Sequence, residues 1–205
     1  MAFPYSGKDQ PEQREWSPKG IPASRHLNRR IFSAKMCYTG VRECTSAGCL
    51  LRVAVYIMIK VYLDNCCYNR PFDNSSDKNV YLEAMAKLFI QSLIRYGDII
   101  LAGSFILYSE ISDNPHKYKL VNIMQFVDEY TKIYIGGEMS SKALAIAQDI
   151  MQTGIKASDA AHIACAILAG CDYFITTDKR ILKYKSESIQ IINPTHFIQI
   201  WEKLS

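Results

Sequence analysis

The sequence predicts an α/β fold, a three-layer sandwich in which a central parallel sheet carries helices on both faces. After residue 57, short strand-like runs alternate with helical patterns along the chain. The strand-like runs are apolar throughout, which is typical of parallel strands buried on both faces. No apolar run reaches the roughly 18–20 residues that a membrane-spanning helix needs.

Four short apolar runs rich in β-forming residues predict the strands. They lie at residues 59–63, 98–102, 173–176 and 188–192. Apolar residues at helical spacing, together with helix-end signals, predict seven helices. They lie at residues 79–95, 104–113, 116–130, 138–153, 158–169, 179–185 and 194–204.

Local signals set several of these boundaries. The first long helix is predicted from an apolar stripe with spacing i, i+4, i+7, i+8. The stripe consists of Tyr81, Met85, Leu88 and Phe89. The helix that begins at Ser104 ends before Asn114-Pro115, because proline disfavours helical geometry in the residue before it. Gly154 and Gly170 stand where the helices at residues 138–153 and 158–169 are expected to end.

The chain changes character near residue 57. Residues 1–57 contain four prolines and no sustained periodicity, and they hold nine Lys and Arg against four Asp and Glu. Residues 58–205 hold 15 against 16, so the basic balance of the chain belongs to its first segment. Bulk charge therefore does not predict nucleic-acid binding by residues 58–205. We interpret residues 1–57 as a poorly ordered leader, or as sequence upstream of a natural start at Met58.

The cysteines and the N-terminus favour a cytoplasmic protein. Seven cysteines is an odd number, and their spacing lacks the regularity of a disulfide framework. Residues 1–30 have no apolar central stretch of the kind found in a secretory signal. A reducing compartment follows. A nucleophilic role for the adjacent Cys66 and Cys67 is disfavoured, because no histidine is close to them in the sequence.

Four acidic residues are expected at one edge of the predicted sheet. Asp64 ends the first strand, Asp178 follows the third, Asp159 lies in the first turn of the helix before the third strand, and Glu110 lies late in the helix after the second. Sites in such sheets lie outside the carboxyl ends of the strands. Like charges this close oppose folding unless a cation neutralises them, and Mg²⁺ and Mn²⁺ prefer oxygen ligands. The pattern predicts metal-assisted attack of water on a phosphodiester.

Each acid also has a purely structural interpretation. Asp64 suits a turn after a strand, and Asp159 suits the positive end of a helix. Asp178 suits the cap of the helix at residues 179–185, and Glu110 suits an exposed helix face. The combination of the four is far more specific than any one of them.

Residues 58–205 resemble the PIN domain family, which includes the VapC-type toxin ribonucleases. Four stretches carry the resemblance: Val61-Tyr62-Leu63-Asp64-Asn65, Ser109-Glu110-Ile111, Ser158-Asp159-Ala160-Ala161-His162-Ile163-Ala164 and Tyr173-Phe174-Ile175-Thr176-Thr177-Asp178. The run from Asp64 to Asp73 also looks like one bacterial and archaeal branch of the family.

The resemblance implies an endoribonuclease that depends on Mg²⁺ or Mn²⁺ and hydrolyses phosphodiester bonds of RNA. Its catalytic and metal-binding residues would be Asp64, Glu110, Asp159 and Asp178, with Asn65 and Thr176 in support. We expect Asp64 and Asp159 to be the primary ligands and Asp178 to bind directly or through water. Glu110 would bind a second ion or orient the attacking water.

The resemblance also implies partners. The protein would be the toxin of a toxin–antitoxin pair, restrained by a small antitoxin protein, and it would form a homodimer. Arg70, Lys179 and Arg180 flank the acidic motifs and suit either RNA phosphates or ordinary solvation. His162 shares a helix face with Asp159, where a packed or surface histidine is favoured over a role beside the metal.

Two alternatives of different class stay open. Some PIN domains have lost catalysis, so the chain also suits a non-catalytic nucleic-acid-binding or scaffold module. Receiver-like signalling domains gather acids around Mg²⁺ as well. They need a phosphoacceptor aspartate after the third strand and a lysine after the fifth, and the acids of this chain are placed differently.

Overall fold

The structure, a computed structural model, describes residues 58–74 and 76–204. Five strands in these ranges form one parallel sheet with the order β3-β2-β1-β4-β5. They are β1 (Lys60–Leu63), β2 (Ile100–Ser104), β3 (Thr131–Ile135), β4 (Tyr173–Ile175) and β5 (Gln190–Ile192). The prediction of a poorly ordered or non-native leader at residues 1–57 lies outside the described residues.

Seven α-helices accompany the sheet in the described ranges. They are α1 (Asn65–Asn69), α2 (Lys78–Tyr96), α3 (Phe105–Ser112), α4 (Lys117–Tyr130), α5 (Ser140–Met151), α6 (Ala157–Leu168) and α7 (Pro194–Leu204). None of them is both long and apolar enough to cross a membrane.

The strand order places helices on both faces of the sheet. The chain moves outward from β1 through β2 to β3, and then returns past both strands to β4. Because crossovers between parallel strands are right-handed, the reversal puts α5 and α6 on the face opposite α2 and α4. Helix α7 packs on α2. The predicted α/β three-layer fold is confirmed, and its order differs from the 2-1-3-4-5 order of receiver-like domains.

Strand β1 lies at the centre of the sheet and of the core. Its residues Val61, Tyr62 and Leu63 are fully buried, as a continuous apolar run predicts. The Tyr62 ring stacks on Phe174 of the neighbouring β4, with 5.5 Å between ring centroids. The acid that follows β1 therefore emerges at the middle of the carboxyl edge, between the ends of β2 and β4.

Three local predictions were incomplete. Strand β3 was missed because it is an edge strand whose residues alternate between exposed and partly buried, and because it follows α4 directly without a turn residue. Helix α1 has only five residues, too few to show a helical period. The helix expected at residues 179–185 is a single 3₁₀ turn, Ile181–Lys183.

The apolar stripe that predicted α2 does not form its buried face. Tyr81, Met85, Leu88 and Phe89 are 40–49% exposed. The buried face of the helix consists of Ala86, Lys87, Ile90, Gln91, Leu93 and Ile94. Both sides of α2 carry apolar residues at helical spacing, so the period alone could not select the side that fits the core.

Candidate active site

Asp64 is held by neighbours from two parts of the chain. It occupies the N-cap position of α1, where an aspartate ordinarily bonds the first amides of its helix, yet its side chain makes no such bond. Its Oδ2 instead accepts hydrogen bonds from the Thr176 hydroxyl at 2.7 Å and the Cys66 thiol at 3.0 Å. The residue is 7% exposed. This carboxylate is therefore fixed by side chains, while its Oδ1 bonds no described residue.

Thr176 joins two of the predicted acids. Its hydroxyl donates to Asp64 and accepts the backbone N–H of Asp178 at 3.0 Å. The Thr176 backbone extends the register of β4 towards β5, since its N–H bonds the carbonyl of Ile192. The buried hydroxyl thus fixes the relative positions of the acid after β1 and the acid after β4.

Cys66 is a member of this site that the sequence analysis did not include. Its Sγ lies 3.0 Å from Asp64 Oδ2 and 3.3 Å from Thr176 Oγ1, and it accepts the N–H of Thr177 at 3.3 Å. The sequence offered only its position two residues after Asp64. The geometry is that of a hydrogen-bonding neighbour of the carboxylate.

Asp159 lies near the other two strand-end acids. It is in the first turn of α6, and Ser158 Oγ donates to its Oδ1 at 3.3 Å. Burial raises its pKa, and the negative charges of Asp64 and Asp178 raise it further. The three carboxylates therefore lie close enough for their charges to interact.

Arg180 neutralises part of this charge. Its backbone N–H donates to Asp178 Oδ1 at 2.7 Å, and its guanidinium contacts both carboxylate oxygens of Asp178. These hydrogen bonds lower the pKa of Asp178. The positive charge of Arg180 also counteracts the rise in the pKa of Asp159. The hydrogen bond from the Arg180 N–H agrees in part with the structural interpretation of Asp178 as a helix cap.

Glu110 is governed by a different set of neighbours. Its Oε2 lies 3.1 Å from His162 Nε2, an ion-pair distance, although the ring orientation does not meet the geometry of a hydrogen bond. The contact with His162 lowers the pKa of Glu110, and a hydrogen bond with the Asn65 side chain lowers it further. Asn65 thus contacts the acid of α3. His162 itself is 2% exposed. It is therefore the packed histidine that was favoured, and it also contacts Glu110.

The donor set suits a hard cation but does not form a closed cage. No group of three or more His, Cys, Asp or Glu side chains is arranged to hold a metal ion within residues 58–74 and 76–204. The acids nevertheless offer only oxygen donors, and Asp64 Oδ1 and Asp159 Oδ2 bond no described side chain or backbone group. Magnesium commonly uses one or two carboxylates and keeps several waters. The residues present therefore fit Mg²⁺ or Mn²⁺, provided that Asp178 can release Arg180.

The predicted phosphate-binding residues differ in their freedom. Arg70 Nε lies 3.0 Å from Glu83 and its Nη1 lies 3.1 Å from Asp73. Arg180 is engaged with Asp178, as described. Lys179 is exposed and forms no ion pair with a described residue, although its charge partly offsets the rise in the pKa of Glu83 that burial causes. Of the three, Lys179 has the freest side chain.

The comparisons with known proteins concern the whole chain. The sequence matches no family model and no curated protein. Among solved structures, the chain is similar to VapBC2 from Rickettsia felis bound to a DNA fragment from their promoter, with 14% identity, a TM-score of 0.42, and coverage of 66% of this chain and 98% of that chain. It is also similar to FitAcB from Neisseria gonorrhoeae, with 16% identity, a TM-score of 0.40, and coverage of 66% and 99%.

Proposed function

We propose that this protein is a metal-dependent endoribonuclease that hydrolyses phosphodiester bonds of RNA. The observation that carries the proposal is the meeting of Asp64, Asp159 and Asp178 at the carboxyl edge of the sheet, where Thr176 links Asp64 to Asp178. Burial raises the pKa of Asp159, and repulsion from the other two negative charges raises it further. A soluble domain gains nothing from such repulsion unless a cation binds there. The PIN domain motifs that contain these residues support the same conclusion.

Asp64 and Asp159 would hold the divalent ion, and Asp178 would join them directly or through water. A bound ion would stabilise charge on the phosphate oxygens and lower the pKa of a bound water. Thr176 and Cys66 keep the Asp64 carboxylate in place through Oδ2, which leaves Oδ1 for a ligand. This arrangement supports a ligand role for Asp64 more strongly than the turn role.

Glu110 suits the orientation of a water or the binding of a second ion. Its lowered pKa keeps the carboxylate ionised at neutral pH. A carboxylate with a low pKa is a poor general base at neutral pH, because an efficient general base has a pKa near the working pH. Glu110 therefore suits the orientation of a water better than the acceptance of its proton.

Binding of RNA would use the charges beside the acids. Lys179 is exposed and suited to a phosphate, and Arg180 becomes available if an ion displaces it from Asp178. Arg70 would contribute only if it left Glu83 and Asp73. These contacts would position RNA without reading its sequence.

The biological setting follows from the PIN resemblance and is part of the proposal. The protein would be the toxin of a toxin–antitoxin pair in the cytoplasm, bound by a small antitoxin protein, and it would act as a homodimer.

A second candidate function is a non-catalytic nucleic-acid-binding or scaffold module. Two observations favour it: the described residues contain no ready three-ligand group, and Arg180 already contacts both oxygens of Asp178. An internal guanidinium of this kind would satisfy the acids without any metal.

Cleavage of RNA by the purified full chain separates the two functions. We expect unstructured RNA to be cut with Mg²⁺ or Mn²⁺ and to stay intact with chelator. The Asp64→Asn variant should fold normally and lose at least about 100-fold in rate, as expected for loss of a group that stabilises transition-state charge. Asp98→Asn is the matched control, because this exposed aspartate precedes β2 at the opposite edge of the sheet. RNA binding without cleavage in either ion would favour the non-catalytic module, and wild-type cleavage by Asp64→Asn would remove the assignment.

A further inference from the structure

A chain of four polar side chains runs from the core to Glu110. Ser104 ends β2, Tyr62 lies in β1, His162 lies in α6 and Glu110 lies in α3. Tyr62 Oη is 2.7 Å from Ser104 Oγ and 2.9 Å from His162 Nδ1, and His162 Nε2 is 3.1 Å from Glu110 Oε2. Ser104 and Tyr62 are fully buried, and His162 is nearly so. Four separate elements must therefore be in register for this chain to form.

The Ser104 end of the chain allows Tyr62 to donate towards His162. Ser104 is the N-cap of α3, and its Oγ accepts the N–H of Leu107. A hydroxyl that accepts there still has its own hydrogen to donate. The neighbouring Tyr62 is protonated at neutral pH, because burial raises its pKa well above the usual range. Ser104 can then donate to Tyr62 Oη, and Tyr62 can donate its single hydrogen to His162 Nδ1.

The Glu110 end requires the same direction. If His162 carried its hydrogen on Nδ1 alone, the bare Nε2 would face the Glu110 carboxylate, and two acceptors would meet in a buried place. No described group hydrogen-bonds Nε2, so only Glu110 can use a hydrogen on that atom. Glu110 is partly exposed and can rotate onto it. The contacts at Ser104 and at Glu110 thus favour the same tautomer of His162, with a hydrogen on Nε2 and a free lone pair on Nδ1.

We propose that His162 is a positioning residue for Glu110. The Tyr62 phenol donates to Nδ1 and thereby fixes the hydrogen on Nε2, which holds the Glu110 carboxylate against α6. The inference rests on the proposed function, because it gives Glu110 a task in RNA cleavage. It gives a positioning role to a histidine for which a packed or surface position was favoured, and it adds the hydroxyl of a core tyrosine to the same arrangement.

The first arm of the test reads the tautomer directly. In the full chain with ¹⁵N-labelled histidine at neutral pH, long-range ¹H–¹⁵N spectra should show His162 with a protonated Nε2 and an unprotonated Nδ1. Tyr62→Phe keeps the ring and removes the donor, so the single tautomer should give way to a mixture. The exposed His116 serves as the internal reference and should be unchanged. A protonated Nδ1 in the wild-type protein, or no effect of Tyr62→Phe, would overturn the inference.

The second arm measures RNA cleavage. His162→Leu removes the donor to Glu110, whereas His162→Gln places an amide N–H near the position of Nε2. We expect kcat to fall at least tenfold for His162→Leu with little change in KM, partial rescue by His162→Gln, and no change for His116→Gln. Far-UV circular dichroism monitors folding, and Tyr62→Phe gives the same comparison with a milder change if His162→Leu does not fold.

The outcomes separate this inference from the proposed function. Wild-type cleavage together with equal cleavage by His162→Leu and Tyr62→Phe overturns the inference and leaves the nuclease standing. Equal loss in His162→Leu and His162→Gln, without rescue, also overturns it. If the wild-type protein cleaves no RNA with Mg²⁺ or Mn²⁺, the proposed function falls, and the role of His162 in cleavage falls with it.

Discussion

Lys87 should make the protein less stable at neutral pH than a methionine in its place. The residue is 4% exposed on the buried face of α2. It forms no ion pair with a described residue, and its Nζ lies 5.4 Å from the Tyr68 ring centroid and 6.0 Å from that of Phe126. Burial lowers its pKa from 10.5 to about 7. The amine therefore loses hydration on folding without gaining a carboxylate.

The size of the effect follows from that shift. Between about pH 7 and pH 10.5 the unfolded chain holds a proton on Lys87 that the folded chain lacks, so the free energy of unfolding rises with pH by about 1.4 kcal/mol per unit. Below about pH 7 both states are protonated, and the full penalty of about 5 kcal/mol remains. Contacts of an ammonium with two aromatic rings return about 1–2 kcal/mol. We expect Lys87→Met to stabilise the protein by about 3 kcal/mol at pH 7 and by little near pH 10.

Urea unfolding of both proteins from pH 6 to pH 10 measures this directly. The quantity of interest is the difference between Lys87→Met and wild type, because the titrations of all other groups cancel in it. That difference should shrink steadily above pH 7. Lys78→Met is the matched control on the same helix, where the lysine is exposed. A variant less stable than wild type at pH 7, or a difference that does not change with pH, would refute the reasoning.

Two further predictions concern the candidate site. Arg180→Gln should bind Mn²⁺ about fivefold more tightly than wild type in calorimetric titration, equivalent to ~1 kcal/mol and at the upper end for an exposed ion pair, because Asp178 no longer has a competing guanidinium. Lys179→Gln removes the same charge next to it without that contact, and an equal gain in both variants would contradict competition for Asp178. Thr176→Val should lower the free energy of unfolding by about 1.5–3 kcal/mol in urea, because Asp64 loses a buried donor and the Asp178 N–H loses its acceptor. A Thr176→Val protein as stable as wild type would show that the Thr176 link contributes nothing.

Much of the fold could be predicted from local signals. Helix α7 lies at Pro194–Leu204 as predicted, and α3 begins after Ser104, which caps it, and ends before Asn114-Pro115. These boundaries depend on neighbours in the sequence. The buried face of α2 does not, because the helix has apolar residues on two sides and only the shape of the rest of the core selects between them. A lysine on the selected side has no signal in the sequence.

The candidate site likewise has residues that the sequence predicts and contacts that it does not. Asp64 and Asp178 follow directly from the rule that strand ends gather at one edge of a parallel sheet, and Asp159 follows from the helix before β4. The contacts of Cys66 and Tyr62 do not follow. In the sequence, Tyr62 is indistinguishable from the apolar residues of a buried strand. Its hydroxyl has these hydrogen-bond partners only because β2 and α6 bring Ser104 and His162 to it. Side-chain partners from three elements are a property of the packed core and not of any one stretch of sequence.

Two unfavourable electrostatic features of this protein differ in what can relieve them. The negative charges of Asp64 and Asp178 act unfavourably on the partly buried Asp159, and a cation from solution can neutralise that repulsion, as Arg180 already does in part. Lys87 lies among Tyr68, Phe126 and the nearby Arg95 charge, where no described acid faces it and only loss of its proton helps. An unfavourable charge arrangement that a ligand can relieve is typical of a functional site. One that only a change of residue can relieve is typical of an imperfectly packed core. The first kind lies at the carboxyl edge of the sheet and the second behind α2, which is why the carboxyl edge is the place to look for activity.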